Sequence, residues 1–236
     1  VKNYVATEHI SKRQTESRLG HDDFLFYKLK SPGNDKKDRA GFAELRRWVR
    51  TRDASSTARQ INRNIDLNDY MRHMFVILHA GASDWGEGAV IMDLSEDVPR
   101  WRWTHWDMDN AYRDPHGKML LGLSNAEWAK RFLDHALVPP HKADLYPRAE
   151  LFQVLMKTKW FPMQFAKLAQ DILNHEIPPE YLVSLQDHYA QLGELYGTSR
   201  GPTILVRKRL DERPGIIRAD LREQLGLGEP HQLSVT

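Results

Sequence analysis

Trp101-Arg102-Trp103-Thr104-His105-Trp106-Asp107-Met108-Asp109 is the stretch on which the reading of this chain turns. Its first half alternates large aromatic and polar side chains, the period-two pattern of a strand with one buried face. A strand is therefore predicted over Arg100 to Trp106. If it continues through Met108, the alternation sets Asp107 and Asp109 on the same side. Two carboxylates so placed repel each other, and a hard cation such as Mg²⁺ relieves that repulsion. An Asp-x-Asp at a strand end also serves as a turn or as a helix cap, and spacing alone leaves both readings open.

Working back from this stretch, Ala89 to Met92 is predicted as a partner strand, joined to it by a turn around Ser95-Glu96-Asp97-Val98-Pro99. A loop with Gly81, Gly86 and Gly88 precedes that strand and carries Ser83 and Asp84. Before the loop comes a helix bearing Leu67, Tyr70, Met71, Met74, Phe75 and Leu78, with Asp66 or Asn68 as its cap. It is apolar on most sides, so burial is expected, and it stops at Gly81. His79 on this helix reads as a hydrogen-bonded core histidine. A carboxylate arriving on a loop separate from a metal-holding pair is what phosphoryl transfer uses to orient or deprotonate an attacking hydroxyl. A lone Asp in a Gly-rich loop reads equally well as a turn residue.

Nearer the start, Phe24-Leu25-Phe26-Tyr27-Lys28-Leu29 is a short aromatic strand candidate, and Ser31 to Asp38 reads as a solvated loop. Phe42, Leu45, Trp48 and Val49 recur at helical spacing, predicting an amphipathic helix that ends near Asp53. Val1 to Glu8 reads as a strand already under way, so the natural N-terminus is expected upstream. Beyond Asp109 the chain reads as mainly helical. Ser124-Asn125-Ala126-Glu127 has the capping-box pattern. Phe161, Phe165, Leu168 and Ile172 mark one helix face, and Leu182, Leu185, Tyr189, Leu192 and Tyr196 mark another after Pro178-Pro179. Arg213-Pro214 introduces a last short helix ending near Leu225-Gly226. Strands first, then a buried helix, a polar loop and a hairpin, then helices, make an α+β, two-lobed chain.

Bulk properties narrow the function classes. With 34 basic and 32 acidic residues among 236, the net charge of +2 offers no basis for nucleic-acid binding, and none is expected. There is no cysteine, hence no disulfide, thiol nucleophile or Cys-based zinc site. No stretch of about 18 apolar residues occurs, so no membrane span is expected. The 11 histidines fall into no defensible ligand spacing, which weighs against a metal-dependent phosphoesterase.

Several segments, in order along the chain, resemble the CotH (spore coat protein H) kinase family. Tyr4 to Glu8 with His9-Ile10 is similar to its strand ending in Tyr-x-x-x-Glu, and Gly20 with Leu25-Phe26-Tyr27-Lys28 to its Gly and Leu-Tyr-Lys stretch. Ile65 to Met71 resembles its "Ile-Asp, then Asp-Tyr-Leu" helix start, and Trp101 to Asp109 its Trp-rich strand closing in Trp-Asp-x-Asp. Arg213-Pro214 with Leu221 and Leu225-Gly226-Leu227 resembles its closing helix. The family's upstream part of the small lobe, with its Arg-Gly-Asn-like segment, has no counterpart here.

The resemblance implies a divergent two-lobed protein-kinase-like fold, with a mixed small lobe over 1–63 and a mainly helical large lobe over 64–236. It implies transfer of phosphate from ATP, with Mg²⁺ or Mn²⁺, to Ser or Thr of a Ser-rich protein substrate, and a spore-coat, cell-surface or extracellular setting. Asp84 would be the catalytic aspartate, Asp107 the metal ligand and Asp109 its support. Lys28 would contact phosphates, tethered by Glu8, with Trp101 and Tyr4 stacking on adenine, a flat apolar surface. Lys28 also reads as a strand-edge lysine facing water, Glu8 as a surface acid and Trp101 as core packing. The family usually places an Asn a few residues after its catalytic Asp. Here Asp84-Trp85-Gly86-Glu87-Gly88-Ala89 has none, which leaves two alternatives, Glu87 as a substitute oxygen ligand or a weakly bound second metal. That departure supports a second reading, a catalytically reduced domain acting as a surface or coat interaction module.

Overall fold

The computed structural model describes residues 10–29, 33–80, 88–105 and 147–195, together with 214–215, 217–219 and 221–222. Three strands, β1 (Phe24–Lys28), β2 (Ala89–Asp93) and β3 (Trp101–Thr104), form one antiparallel sheet in that order. Helices α1 (Lys12–Leu19), α2 (Lys36–Arg50), α3 (Ala58–Asn62), α4 (Leu67–Ala80), α5 (Pro147–Met156), α6 (Phe161–Asp171) and α7 (Pro179–Leu195) accompany it, and the described residues between 214 and 222 are helical as well. A π-helical turn over Ile172–Glu176 follows α6. The architecture is mixed, a small antiparallel sheet with many helices, and agrees with the α+β expectation.

Strand alternation divides the sheet into two faces. Leu25 and Tyr27 of β1, Val90 and Met92 of β2, and Trp101 and Trp103 of β3 share the face that joins the main core. Tyr27 stacks on Phe42 of α2 with ring centroids 3.9 Å apart. That core continues through Tyr70, Met74 and Phe75 of α4 to Leu151, Phe152 and Leu155 of α5 and Phe161 and Phe165 of α6. It draws on residues from both sides of position 63. On the opposite face Phe24, Phe26 and Ala89 make a smaller cluster, against which Ile10, Leu19 and Ile91 pack.

The buried helix is as its sequence requires. Asp66 is the residue that caps α4, its Oδ1 accepting from the Asp69 amide at 3.2 Å. Tyr70, Met74 and Phe75 are fully buried, while Val76 lies on the outer side, 38% exposed. The Trp101 amide donates to the Asn64 carbonyl at 2.9 Å and the Asp66 amide to the Trp101 carbonyl at 3.1 Å, so β3 is bonded to the approach to α4.

Four sequence expectations need correction. β3 ends at Thr104, with His105 outside it, so the alternation expected to place Asp107 and Asp109 does not carry over from β3, and those two residues lie outside the described ones. The predicted loop Ser31 to Asp38 is helical from Lys36 onward, and α2 ends at Arg50 rather than near Asp53. α1 and α3 were not anticipated, because each buries only one residue, Thr15 and Ile61 respectively, and so carries no apolar stripe. Their caps were readable: Ser11 and Gly20 bound α1, and Thr57 with Gln60 forms a capping box on α3. The predicted face on α7 is only partly covered, since Leu185 is 38% exposed. The predicted strand over Val1 to Glu8 and the capping box at Ser124 lie outside the described residues.

Asp38 shows why the charged stretch folds. Only 1% exposed, it accepts the β1 amide of Phe26 at Oδ1, 3.0 Å away, and Lys12 Nζ of α1 at Oδ2, also 3.0 Å away. One carboxylate thereby joins α1, α2 and β1. Asp38→Ala leaves the buried Phe26 amide without an acceptor, and a loss of about 2–3 kcal/mol is expected. Asp38→Asn keeps an acceptor and should lose about half as much in urea titrations. Equal losses in the two variants would assign the effect to the Lys12 ion pair.

Candidate functional site

The register of the sheet places the site. Lys28 pairs with Ala89, and Ala89 pairs with Thr104, so these residues form one row across all three strands. Gly88, just before β2, and His105, just after β3, flank that row. They are the described neighbours of the two acidic segments, 81–87 and 106–109, which themselves lie outside the described residues. Asp84, Glu87, Asp107 and Asp109 fall in those segments, and Tyr4 and Glu8 also lie outside the described residues.

The hairpin end is tightly built. Thr104 Oγ1 accepts the Ala89 amide at 3.0 Å and donates to the Ala89 carbonyl at 3.1 Å. The Gly88 carbonyl accepts the Leu29 amide at 2.9 Å. Gly88 has φ +124°, and a Cβ there would stand 2.6 Å from the Thr104 carbonyl oxygen. Only glycine fits that backbone and that approach.

Beside this end lies a cleft of about 460 Å³ on the α1 side of the sheet. Ile10, Leu19, Ile91 and Trp103 supply its apolar wall, and Arg18, Asp69, Asp93, Arg102, Thr104 and His105 its polar groups. The charged groups are themselves organised. Arg102 pairs with Glu96 at 2.8 Å and with Asp66 at 3.3 Å. Asp69 accepts the Trp103 amide at 3.3 Å. Burial, aided by the neighbouring Asp66 charge, raises the Asp69 carboxyl above its ordinary value against the opposing pull of the Trp103 amide and Arg102.

Lys28 and Trp101 can be placed directly. Lys28 is half-buried, and its backbone is bonded on both sides to the Asn34 amide side chain, at 2.7 Å and 2.8 Å. It lines a second, smaller hollow of about 250 Å³ with Lys12, Asp35 and Asp38 rather than the larger cleft; Ile10 borders both. Trp101 is 4% exposed within the main core, its ring facing Gly41 of α2. An indole so enclosed is core packing and offers adenine no open face to stack on, contrary to the role the resemblance implies.

Behind the hairpin end stands a group that sequence reading missed. Arg148, the second residue of α5, is 2% exposed, and His73 of α4 is equally buried. Arg148 Nη1 lies 3.0 Å from His73 Nε2. Guanidinium only donates, so His73 accepts at Nε2 and carries its proton on Nδ1. Tyr70 Oη donates to the Arg148 carbonyl at 2.6 Å. The His73 ring stacks on His105 at 4.2 Å, with 16° between planes. No pattern in the sequence marks Arg148, since an arginine at a helix start ordinarily reads as a solvated one. His79 is buried as expected, 1% exposed, against Phe75.

Burial, reinforced by the Arg148 charge and by His105, pushes His73 well below the ordinary imidazole value of 6.5. His105 is pushed to about 4 by burial and then by Arg148. The unfolded chain therefore binds protons below pH about 6.5 that the folded protein refuses, so stability is retained above that pH and declines as acid is added. The melting temperature is expected to fall between pH 7 and 5. His73→Phe should make the decline shallower, and an unchanged slope would assign it to other groups.

Among the described residues no group of three or more His, Asp or Glu is arranged to hold a metal ion. No described helix is long and apolar enough to cross a membrane. The chain matches the family model described as CotH kinase protein over residues 4–198. No curated protein and no solved structure matches it.

Proposed function

The chain belongs to the CotH kinase family, and we propose that it transfers the terminal phosphate of ATP to Ser or Thr hydroxyls of a protein. The observation that carries this reading is the Lys28–Ala89–Thr104 row. The strand arriving from the Asp84 loop and the strand leaving toward Trp106-Asp107-Met108-Asp109 have their near ends together, beside the larger cleft. Phosphoryl transfer needs a metal-held polyphosphate and a hydroxyl-orienting carboxylate within reach of one another. Two acidic segments joined to one hairpin end are suited to supply both.

In this reading Asp84 orients the acceptor hydroxyl and takes its proton as the hydroxyl oxygen bonds to the terminal phosphorus and ADP leaves. Asp107 and Asp109 would hold Mg²⁺ or Mn²⁺, with Glu87 contributing an oxygen in place of the family's Asn. The metal, when bound, neutralises charge on the phosphate oxygens. A cleft of about 460 Å³ is of the size that small-molecule sites have, roughly 300–1,000 Å³, and its apolar wall suits a flat base. Lys28, Glu8 and Tyr4 are the nucleotide contacts that the family resemblance implies. A Ser-rich coat or surface protein is the substrate class that goes with it, at the cell exterior or spore coat.

The missing Asn between Asp84 and Ala89 favours the second reading, a catalytically reduced domain that serves as a surface or coat interaction module. The two readings part on one experiment. The protein is incubated with γ-labelled ATP, Mn²⁺ and a Ser-rich basic protein, beside Asp84→Ala. Label in the acceptor above that control supports the kinase, and equal label supports the module.

A further inference from the structure

We infer that Arg148 is a positioning residue of the proposed site, a buried strut that, through His73, holds His105 in place beside the hairpin end. The inference rests on the phosphotransfer reading above.

The contacts run through one side chain. From the first turn of α5, Nη1 reaches His73 of α4 at 3.0 Å. The same nitrogen lies 4.0 Å from where a Cβ would stand on Gly88. His73, held by that bond, presents its ring to His105 at 4.2 Å. The Tyr70 hydroxyl on the Arg148 carbonyl secures the start of α5 to α4 at 2.6 Å. Arg148 therefore connects through His73 to His105, the last described residue before the Trp106-Asp107-Met108-Asp109 segment, while its Nη1 stands near Gly88, the first described residue after the Asp84 loop.

Stability alone does not explain this choice of residue. Taking a guanidinium out of water is costly, and an apolar side chain of similar volume usually fills such a space with equal or better stability. What an apolar side chain lacks is direction. The guanidinium fork imposes fixed donor angles, which set the His73 tautomer and ring plane, and so the seat of His105. Groups standing behind ligand-bearing segments in this way commonly tune activity without touching substrate.

The test uses Arg148→Met, which keeps volume and removes the donors, and Arg148→Lys, which keeps charge and loses the fork. His105 is followed by its imidazole resonances, which carry the ring-current shift of the stacked His73, and label transfer is followed with ATP and Mn²⁺. The expected result is collapse of the His105 shift in Arg148→Met, with kcat down about 10–100-fold and KM for ATP within about twofold. Arg148→Lys should recover little of either. An unchanged His105 shift overturns the strut whatever the activity. A collapsed shift with kcat within twofold of wild type overturns the positioning role. Absence of label transfer in the wild-type protein sinks the phosphotransfer reading instead, and the His105 shift still decides whether Arg148 holds that point. If Arg148→Met does not fold, His73→Phe, which keeps a flat ring and removes the acceptor, is judged by the same two readouts, with the His105 resonances then reporting loss of the shielding geometry.

Discussion

Asp84→Ala is expected to lower label transfer to a Ser-rich protein by roughly 10²–10⁴-fold, the range for removing a positioned general base. ATP binding should stay within about threefold, because in this reading the carboxylate meets the acceptor hydroxyl rather than the nucleotide. Asp84→Asn should fall nearly as far: an amide orients a hydroxyl but takes no proton from it. The melting temperature should be unchanged in both variants, so that the loss is chemical. Transfer that survives Asp84→Ala at the wild-type rate would remove the kinase reading. Transfer that is absent from the wild type, with ATP still bound, would leave an inactive nucleotide binder, and absence of both would favour the interaction module.

Gly88→Ala carries the largest expected effect on stability, about 3–5 kcal/mol. The φ of +124° is a conformation side-chain-bearing residues rarely adopt, costing about 1–3 kcal/mol by itself. The added methyl would also stand 2.6 Å from the Thr104 carbonyl oxygen, a backbone atom that moves only if the Ala89–Thr104 pair moves. Relief therefore comes at the expense of the register on which the site depends. The variant should lose activity at temperatures where it is still folded, and chemical denaturation should report the stability loss directly. A loss under about 1 kcal/mol would mean that the hairpin end accommodates a side chain there.

Much of the fold was legible because burial leaves a period in the sequence. Leu67 to Leu78 is apolar on most sides, and α4 is indeed a largely buried helix of the core, with Val76 on its outer side. The alternation of Trp101 and Trp103 with Arg102 and Thr104 marked a strand with one core face. Phe161 and Phe165 marked α6. The helices left unread, α1 and α3, bury one residue each and therefore impose no stripe. Asp38 was misread for a related reason: its charged neighbours imply solvent, while its burial depends on Lys12 and on the Phe26 amide, both brought in by other elements.

The candidate site divides along the same line. Sequence alone determined the family, the two acidic segments flanking a short hairpin, and the strand that carries Lys28, since these are written in residue order and local pattern. Tertiary structure decided that Trp101 belongs to the core beside Gly41, that Lys28 borders the smaller hollow, and that Arg148 lies buried on His73 behind Gly88 and His105. Each of those depends on a partner distant along the chain. Periodicity records which face of an element is buried and cannot record what lies against it. The Ala89–Thr104 pairing is the clearest case, because a shift of one residue would have preserved the composition of both strands and turned Trp101 and Trp103 out of the core.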